Sequence, residues 1–102
     1  MSLGELFGPT GELDVAERIF SAVPDDIGEL PYPDARMSAI VENAYSDMLL
    51  KMTPEKRREY EKRMLEYCER HRLMERMQEA GLIESRAFYL GKPLWNKVKK
   101  EE

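Results

Sequence analysis

The chain has 102 residues, a single cysteine and a formal net charge of −4. This length allows one domain, and a lone cysteine excludes an intrachain disulfide and fits a reducing compartment. No apolar run approaches the roughly 20 residues of a membrane-spanning helix, and the first residues lack the basic and apolar regions of a secretory signal. We therefore expect a small, acidic, soluble, cytoplasmic protein. The scarcity of Gln, Asn and Thr beside many Glu, Arg and Lys is compatible with a thermophilic source.

The first third of the chain combines turn residues with one short helical pattern. Residues 1–12 contain three glycines and a proline, so we expect an irregular N-terminal arm. A short helix is predicted to begin at Asp14 and to end before Pro24. Residues 24–33 form a proline-rich connector, which we expect to cross the core as an extended strap. The carboxylates of this connector do not have the spacing of an EF-hand calcium loop.

A helical pattern then runs through residues 35–52. Its apolar positions recur at intervals of three and four, which is typical of a helix with one buried face. The connection to the next helix, at Thr53 and Pro54, is only one or two residues long. Because short connections favour antiparallel neighbours, we predict that the helices on its two sides form a hairpin.

The longest predicted element is an amphipathic helix over residues 54–80. Thr53 is a good N-cap, Pro54 suits the first helical position, and Gly81 is a typical residue just beyond a helix end. No Gly, Pro, Asn, Ser or Thr lies between Glu55 and Ala80. Its apolar seam follows a 4-3-4-3 spacing, widened by neighbouring apolar residues. We predict as interface residues Tyr60, Met64, Tyr67, His71, Met74 and Met77.

The length of this helix suggests a partner. About 27 residues span roughly 40 Å, whereas a compact domain of this size has a diameter of roughly 34 Å. The helix must therefore project from the fold, kink, or be covered by a second copy of the chain. We favour the second copy and predict a homodimer.

The C-terminal segment has two open interpretations. Residues 82–98 predict either a β-hairpin, over about 84–90 and 93–98 with a turn at Gly91–Lys92, or two short helices, and the hairpin is slightly preferred. Residues 99–102 form a charged tail. The sequence thus predicts a mainly α fold with a three-helix core, whose last helix is long, and a small C-terminal hairpin or helical turn.

The sequence contains few candidate catalytic or metal-binding residues. Cys68 and His71, the only cysteine and the only histidine, share a helical face, but two ligands fall short of the three or four that zinc needs. There is no glycine-rich phosphate loop and no Ser-His-Asp set. The methionines on apolar faces are expected to fill gaps in the core. We therefore predict a protein that is not an enzyme and has no catalytic residues, cofactor or metal.

One segment supports a different interpretation. MQEAGLIESRAFYLGKPLW resembles the end of a winged-helix domain, in which a helix is followed by a strand, a basic turn and a second strand. The resemblance implies that the wing contacts phosphate or the minor groove of DNA. In that family a turn and another helix precede the recognition helix, whereas residues 55–80 contain no turn residue.

Charge is distributed unevenly between the halves. Residues 1–50 carry two cations against ten carboxylates, and residues 51–102 carry fourteen cations against ten. The acidic half can lie against the basic half, or the basic half can face nucleic acid. The winged-helix resemblance implies that the wing contacts are Arg86, Lys92 and Lys97. The other possible nucleic-acid contacts in the basic half are Arg57, Arg58, Lys62 and Arg63.

Two functions follow as hypotheses. The first is a non-enzymatic protein–protein interaction module, an adaptor, regulator or accessory subunit, that self-associates through the long amphipathic helix. The alternative is a dimeric, winged-helix-like DNA-binding regulator that uses the basic C-terminal half.

Overall fold

The computed structural model describes residues 2–9, 11–25 and 35–98. The predicted mainly helical fold with a small C-terminal hairpin is confirmed. The elements are α1 (Leu3–Phe7), α2 (Gly11–Ala22), α3 (Met37–Ala44), α4 (Ser46–Leu49), α5 (Pro54–Arg70), α6 (Leu73–Glu79), β1 (Ile83–Tyr89) and β2 (Lys92–Lys97). The predicted connector lies outside the described residues except for its first two, and the predicted charged tail lies outside them entirely.

The N-terminal arm is helical rather than irregular over residues 3–7. The Ser2 hydroxyl accepts a hydrogen bond from the backbone N–H of Glu5 at 3.2 Å, which caps the first turn of α1. Phe7 at its end is buried and anchors this helix to the core. Helix α2 begins at Gly11, three residues before the predicted start, with Glu12 and Asp14 in its first turn at the positive end of the helix dipole.

The predicted antiparallel hairpin of helices is formed by α3 and α4 against α5. The Tyr45 and Tyr60 rings meet edge-on with centroids 5.6 Å apart. One step further, the Arg57 Nε donates to the carbonyl of Leu49 at 3.1 Å. Tyr45 therefore lies opposite Tyr60, and Leu49, later in the chain, lies opposite Arg57, which is earlier than Tyr60. This order shows that α5 runs antiparallel to α3 and α4. The predicted helix over 35–52 is divided between α3 and α4 at Tyr45, where ψ is 20°.

The predicted helix over 54–80 is divided into two helices, α5 and α6, by a break at residues 71 and 72. Arg72 has φ 53° and ψ 41°, a left-handed conformation. Such a conformation costs an L-residue about 1–2 kcal/mol. The change of direction keeps α6 on the body of the protein, where Leu73, Met74 and Met77 are buried. Of the three alternatives for a long helix, the kink is the one observed, and α5 alone is only roughly 25 Å long.

The left-handed conformation of Arg72 predicts that glycine is more stabilising than alanine at this position, the reverse of their order inside a regular helix. Glycine inside a regular helix is about 1 kcal/mol worse than alanine. At Arg72 glycine relieves the backbone strain that alanine retains, and both variants lose the same ion pairs to Glu75 and Glu79. We therefore expect Arg72→Gly to be more stable than Arg72→Ala by about 1 kcal/mol. Chemical denaturation of the two variants tests this, and a more stable alanine variant would indicate a continuous helix.

The C-terminal segment is an antiparallel hairpin, as preferred from the sequence. Tyr89 pairs with Lys92, so Leu90 and Gly91 form the two-residue turn, one residue earlier than predicted. Both turn residues have positive φ, 52° and 77°, as in a type I′ turn. A single bridge between Arg36 and Leu94 attaches the hairpin to the start of α3.

One hydrophobic cluster joins the helices to the hairpin. Its buried members are Phe7, Ala16, Ile19, Val23, Ile40, Val41, Tyr45, Leu49, Cys68, Leu73, Met74, Met77, Ile83 and Trp95. Within the described ranges, none of the helices has the length and apolar character needed to cross a membrane.

Candidate interaction surface

The predicted seam is divided between the surface and the core. Met74 and Met77 are buried, and Met77 is 0% exposed within a single protomer. The other four seam residues are half-buried. Tyr60 faces its own chain, because its ring packs on Tyr45 and its hydroxyl donates to the Met48 sulfur at 3.9 Å. The seam is therefore largely covered by the protomer itself.

His71 belongs to a small polar cluster where the N-terminal helices meet α6. Its Nδ1 lies 3.5 Å from a carboxylate oxygen of Glu12, and its ring packs at 4.2 Å from the Tyr67 ring centroid. Arg76 binds the other oxygen of Glu12 at 2.7 Å. This cluster joins the acidic half of the chain to the basic half, as one reading of the charge distribution predicted.

Cys68 does not have the environment of a nucleophile. Its thiol is buried, and burial raises its pKa to about 12, so the thiol is protonated at neutral pH. No group of three or more His, Cys, Asp or Glu side chains in the described part of the chain is placed to hold a metal ion.

Four of the seven predicted nucleic-acid contacts bind groups of their own chain. Arg57 donates to the carbonyls of Leu49 and Met52. The other three form ion pairs, which are Arg63–Glu59, Arg86–Glu84 and Lys97–Asp25. The remaining three are exposed and have no ion-pair partner among the described residues: Arg58, Lys62 and Lys92.

Three of the four large apolar side chains that are exposed in the described part of the chain lie together at the hairpin tip, and the fourth is Leu50 at the end of α4. Phe88 is 68% exposed and Leu90 is 80% exposed, and Tyr89 between them is 38% exposed. The Arg36 guanidinium lies 5.4 Å from the Tyr89 ring centroid, which holds that ring against the body. We call Phe88, Tyr89 and Leu90 the apolar tip. The sequence contained this signal as two adjacent aromatics and a leucine before a turn glycine.

An apolar groove of about 490 Å³ lies beside the tip, between α5, α6 and β2. Its apolar lining consists of Met37, Leu65, Cys68, Met74, Pro93 and Trp95. Its charged rim consists of Glu69, Arg72, Glu75 and Lys92. The volume falls within the range of roughly 300–1,000 Å³ that is usual for sites that enclose a ligand.

The tip and the groove share one face of the hairpin. Phe88 and Pro93 pair directly across the two strands, so their side chains lie on the same face. Trp95, two residues after Pro93, lies on that face as well, because strand side chains alternate. The exposed Phe88 ring therefore continues the apolar wall that Pro93 and Trp95 begin.

Comparisons with known proteins identify no relative of this chain. No protein-family model matches the sequence, and neither a curated protein nor a solved structure matches it.

Proposed function

We propose that this protein is a non-enzymatic protein–protein interaction module that functions as a homodimer. The observation that carries the proposal is the apolar tip, where Phe88 and Leu90 face solvent on either side of the partly exposed Tyr89. Contiguous exposed apolar surface on a small protein commonly marks a site of interaction with another protein. Aromatic residues are also enriched at such interfaces and supply much of their binding energy.

Leu90 supports the proposal because leucine is an unfavourable residue at its position in the turn. Asn, Gly and Asp are the usual residues at this position of a type I′ turn, because they tolerate positive φ. A leucine there is strained at φ 52° and also exposes most of its apolar surface. Residues that break local rules at some cost in stability cluster at functional sites. We therefore assign Leu90 to recognition and not to stability.

The seam remains the alternative interface for the same function. Only its half-buried members, Tyr60, Met64, Tyr67 and His71, reach the surface. A dimer through this surface would bury less new apolar area than the sequence suggested, since Met74 and Met77 are already in the protomer core. The hairpin tip is thus the better-supported surface for self-association.

The mass of the protein in solution tests the proposed function. We expect sedimentation velocity to show a mass that rises with concentration towards twice 11.9 kDa, with dimer present by about 1 mM, the dissociation constant of a contact worth only about 4 kcal/mol. A monomer throughout that range would overturn self-association.

DNA binding is the second candidate, and one observation favours it. The break at Arg72 produces a helix, a turn, a second helix and a hairpin in succession, an order similar to that of a winged helix. Against it, the exposed side chains of α6 include Glu75 and Glu79, and both form ion pairs with Arg72, so among the described residues the start of α6 offers phosphate no free cation there. Titration with random duplex DNA, monitored by Trp95 fluorescence, distinguishes the two. Binding that weakens by about 10³-fold between roughly 50 and 200 mM salt would favour the DNA-binding function.

A further inference from the structure

We propose that the dimer forms by reciprocal exchange of hairpin tips, in which Phe88 and Leu90 of each copy enter the groove of the other. The inference rests on the proposed self-association and names the two surfaces that bind. Both surfaces are present in one chain, so the second copy supplies everything that the contact requires.

The chemistry of the tip matches that of the groove. The groove floor is apolar and contains Trp95, Leu65 and Met74, and the tip presents an aromatic ring and a leucine to solvent. Removing such side chains from water is favourable in proportion to the apolar area buried, at roughly 25 cal/mol per Å². A methionine-lined groove also adapts well to an inserted side chain.

A tip cannot fill the groove of its own chain. Lys92 and Pro93, which line the groove, follow the turn directly, and the pairing of Tyr89 with Lys92 holds the turn extended. The occupant must therefore come from another molecule. Because tip and groove lie on the same hairpin face, a twofold relation between the two copies makes the exchange reciprocal.

One pair of opposite charges, Lys92 on the hairpin and Glu69 on the groove rim, is available to orient the contact. Lys92 at the tip is exposed, and Glu69 on the rim is exposed, and neither has an ion-pair partner in the described part of the chain. In the twofold arrangement the Lys92 ammonium of one copy approaches Glu69 on the groove rim of its partner. This contact fixes orientation more than affinity, since exposed ion pairs are screened by salt.

The small size of each tip–groove contact explains why both tips must be bound for a dimer to form. A single tip in a groove buries well under the roughly 1,200 Å² of a stable interface. Twofold symmetry makes the same contact twice and so doubles the buried area. The dimer is thus expected to be weak and to exchange rapidly.

Two tip variants and one matched control test the exchange. Leu90→Asn removes the exposed side chain and places a preferred residue at positive φ, so folding is retained. Phe88→Ser removes the aromatic ring on the groove face. Leu50→Ser is the control, because Leu50 is 78% exposed but lies at the end of α4 and lines a different cavity.

Sedimentation velocity and Trp95 fluorescence are measured against concentration for the four proteins. We expect each tip variant to weaken dimerisation by at least about tenfold, and Leu50→Ser to leave it unchanged. The concentration-dependent change in Trp95 fluorescence should disappear in the tip variants, because Trp95 lines the groove.

Two outcomes separate the inference from the function on which it rests. If both tip variants dimerise as the wild type does, tip exchange is overturned while self-association stands, and the seam becomes the interface. If the wild type is monomeric throughout, the proposed function fails and tip exchange fails with it.

Discussion

Replacing Met77 by glutamate is expected to abolish folding of the chain at every concentration. Met77 is 0% exposed and packs in the core of a single protomer. Burying an unpaired carboxylate costs several kcal/mol, which is a large part of the 5–15 kcal/mol that stabilises a typical domain. Far-ultraviolet circular dichroism should show loss of the cooperative thermal transition.

The neighbouring residue provides the control for this substitution. Gln78 is exposed on α6, so Gln78→Glu introduces the same charge one position away without burying it. We expect the free energy of unfolding of that variant to lie within about 0.5 kcal/mol of the wild-type value. A folded Met77→Glu protein that only fails to dimerise would show that α6 packs against a second copy and not against its own core.

Replacing Arg76 by alanine is expected to cost about 2–4 kcal/mol of stability. Its guanidinium binds Glu12 at 2.7 Å and donates to the backbone carbonyls of Leu6 and His71 at 3.1 and 3.3 Å. It also lies 4.4 Å from the Phe7 ring centroid. One side chain therefore attaches α1 and the start of α2 to α6, and its removal takes a charged donor away from Glu12 and from the carbonyls of Leu6 and His71.

The loss should be seen both in melting and in the accessibility of α1. Phe7 is buried in the intact protein, so chymotrypsin should cleave there faster in Arg76→Ala. Arg76→Lys should recover only part of the stability, because one ammonium cannot replace a guanidinium that binds several acceptors. The control is Arg58→Ala, since Arg58 is exposed. Equal melting and cleavage in Arg76→Ala and the wild type would contradict this role for Arg76.

The ends of the elements could be predicted because they depend on local chemistry. The Thr53 hydroxyl accepts from the backbone N–H of Lys56 at 3.3 Å, and Pro54 begins α5. Gly81 has φ 77°, as expected for a glycine that ends a helix. The hairpin followed from strand-forming residues on both sides of Gly91, and its turn differed from the prediction by one residue.

The break at Arg72 could not be predicted because arginine carries no local signal for a turn. The 4-3-4-3 spacing from Tyr60 to Met74 passes over Leu73, which is fully buried. The packing of α6 on the core, a tertiary effect, overrides the regular helical pattern. The candidate site escaped prediction for a related reason. The sequence predicts the cations near the turn as functional residues, whereas the exposure of Phe88 and Leu90 depends on the strand register, which the sequence does not show.

The contacts of Arg76 also have a consequence for how the chain folds during synthesis. Its partners Glu12 and Leu6 lie 64 and 70 residues earlier in the sequence. At translation rates of roughly 5–20 residues per second, the N-terminal helices wait several seconds before α6 leaves the ribosome. During that interval the apolar side chain of Phe7 has no α6 to pack against. The N-terminal helices therefore reach their native packing only after the C-terminal third of the protein has emerged.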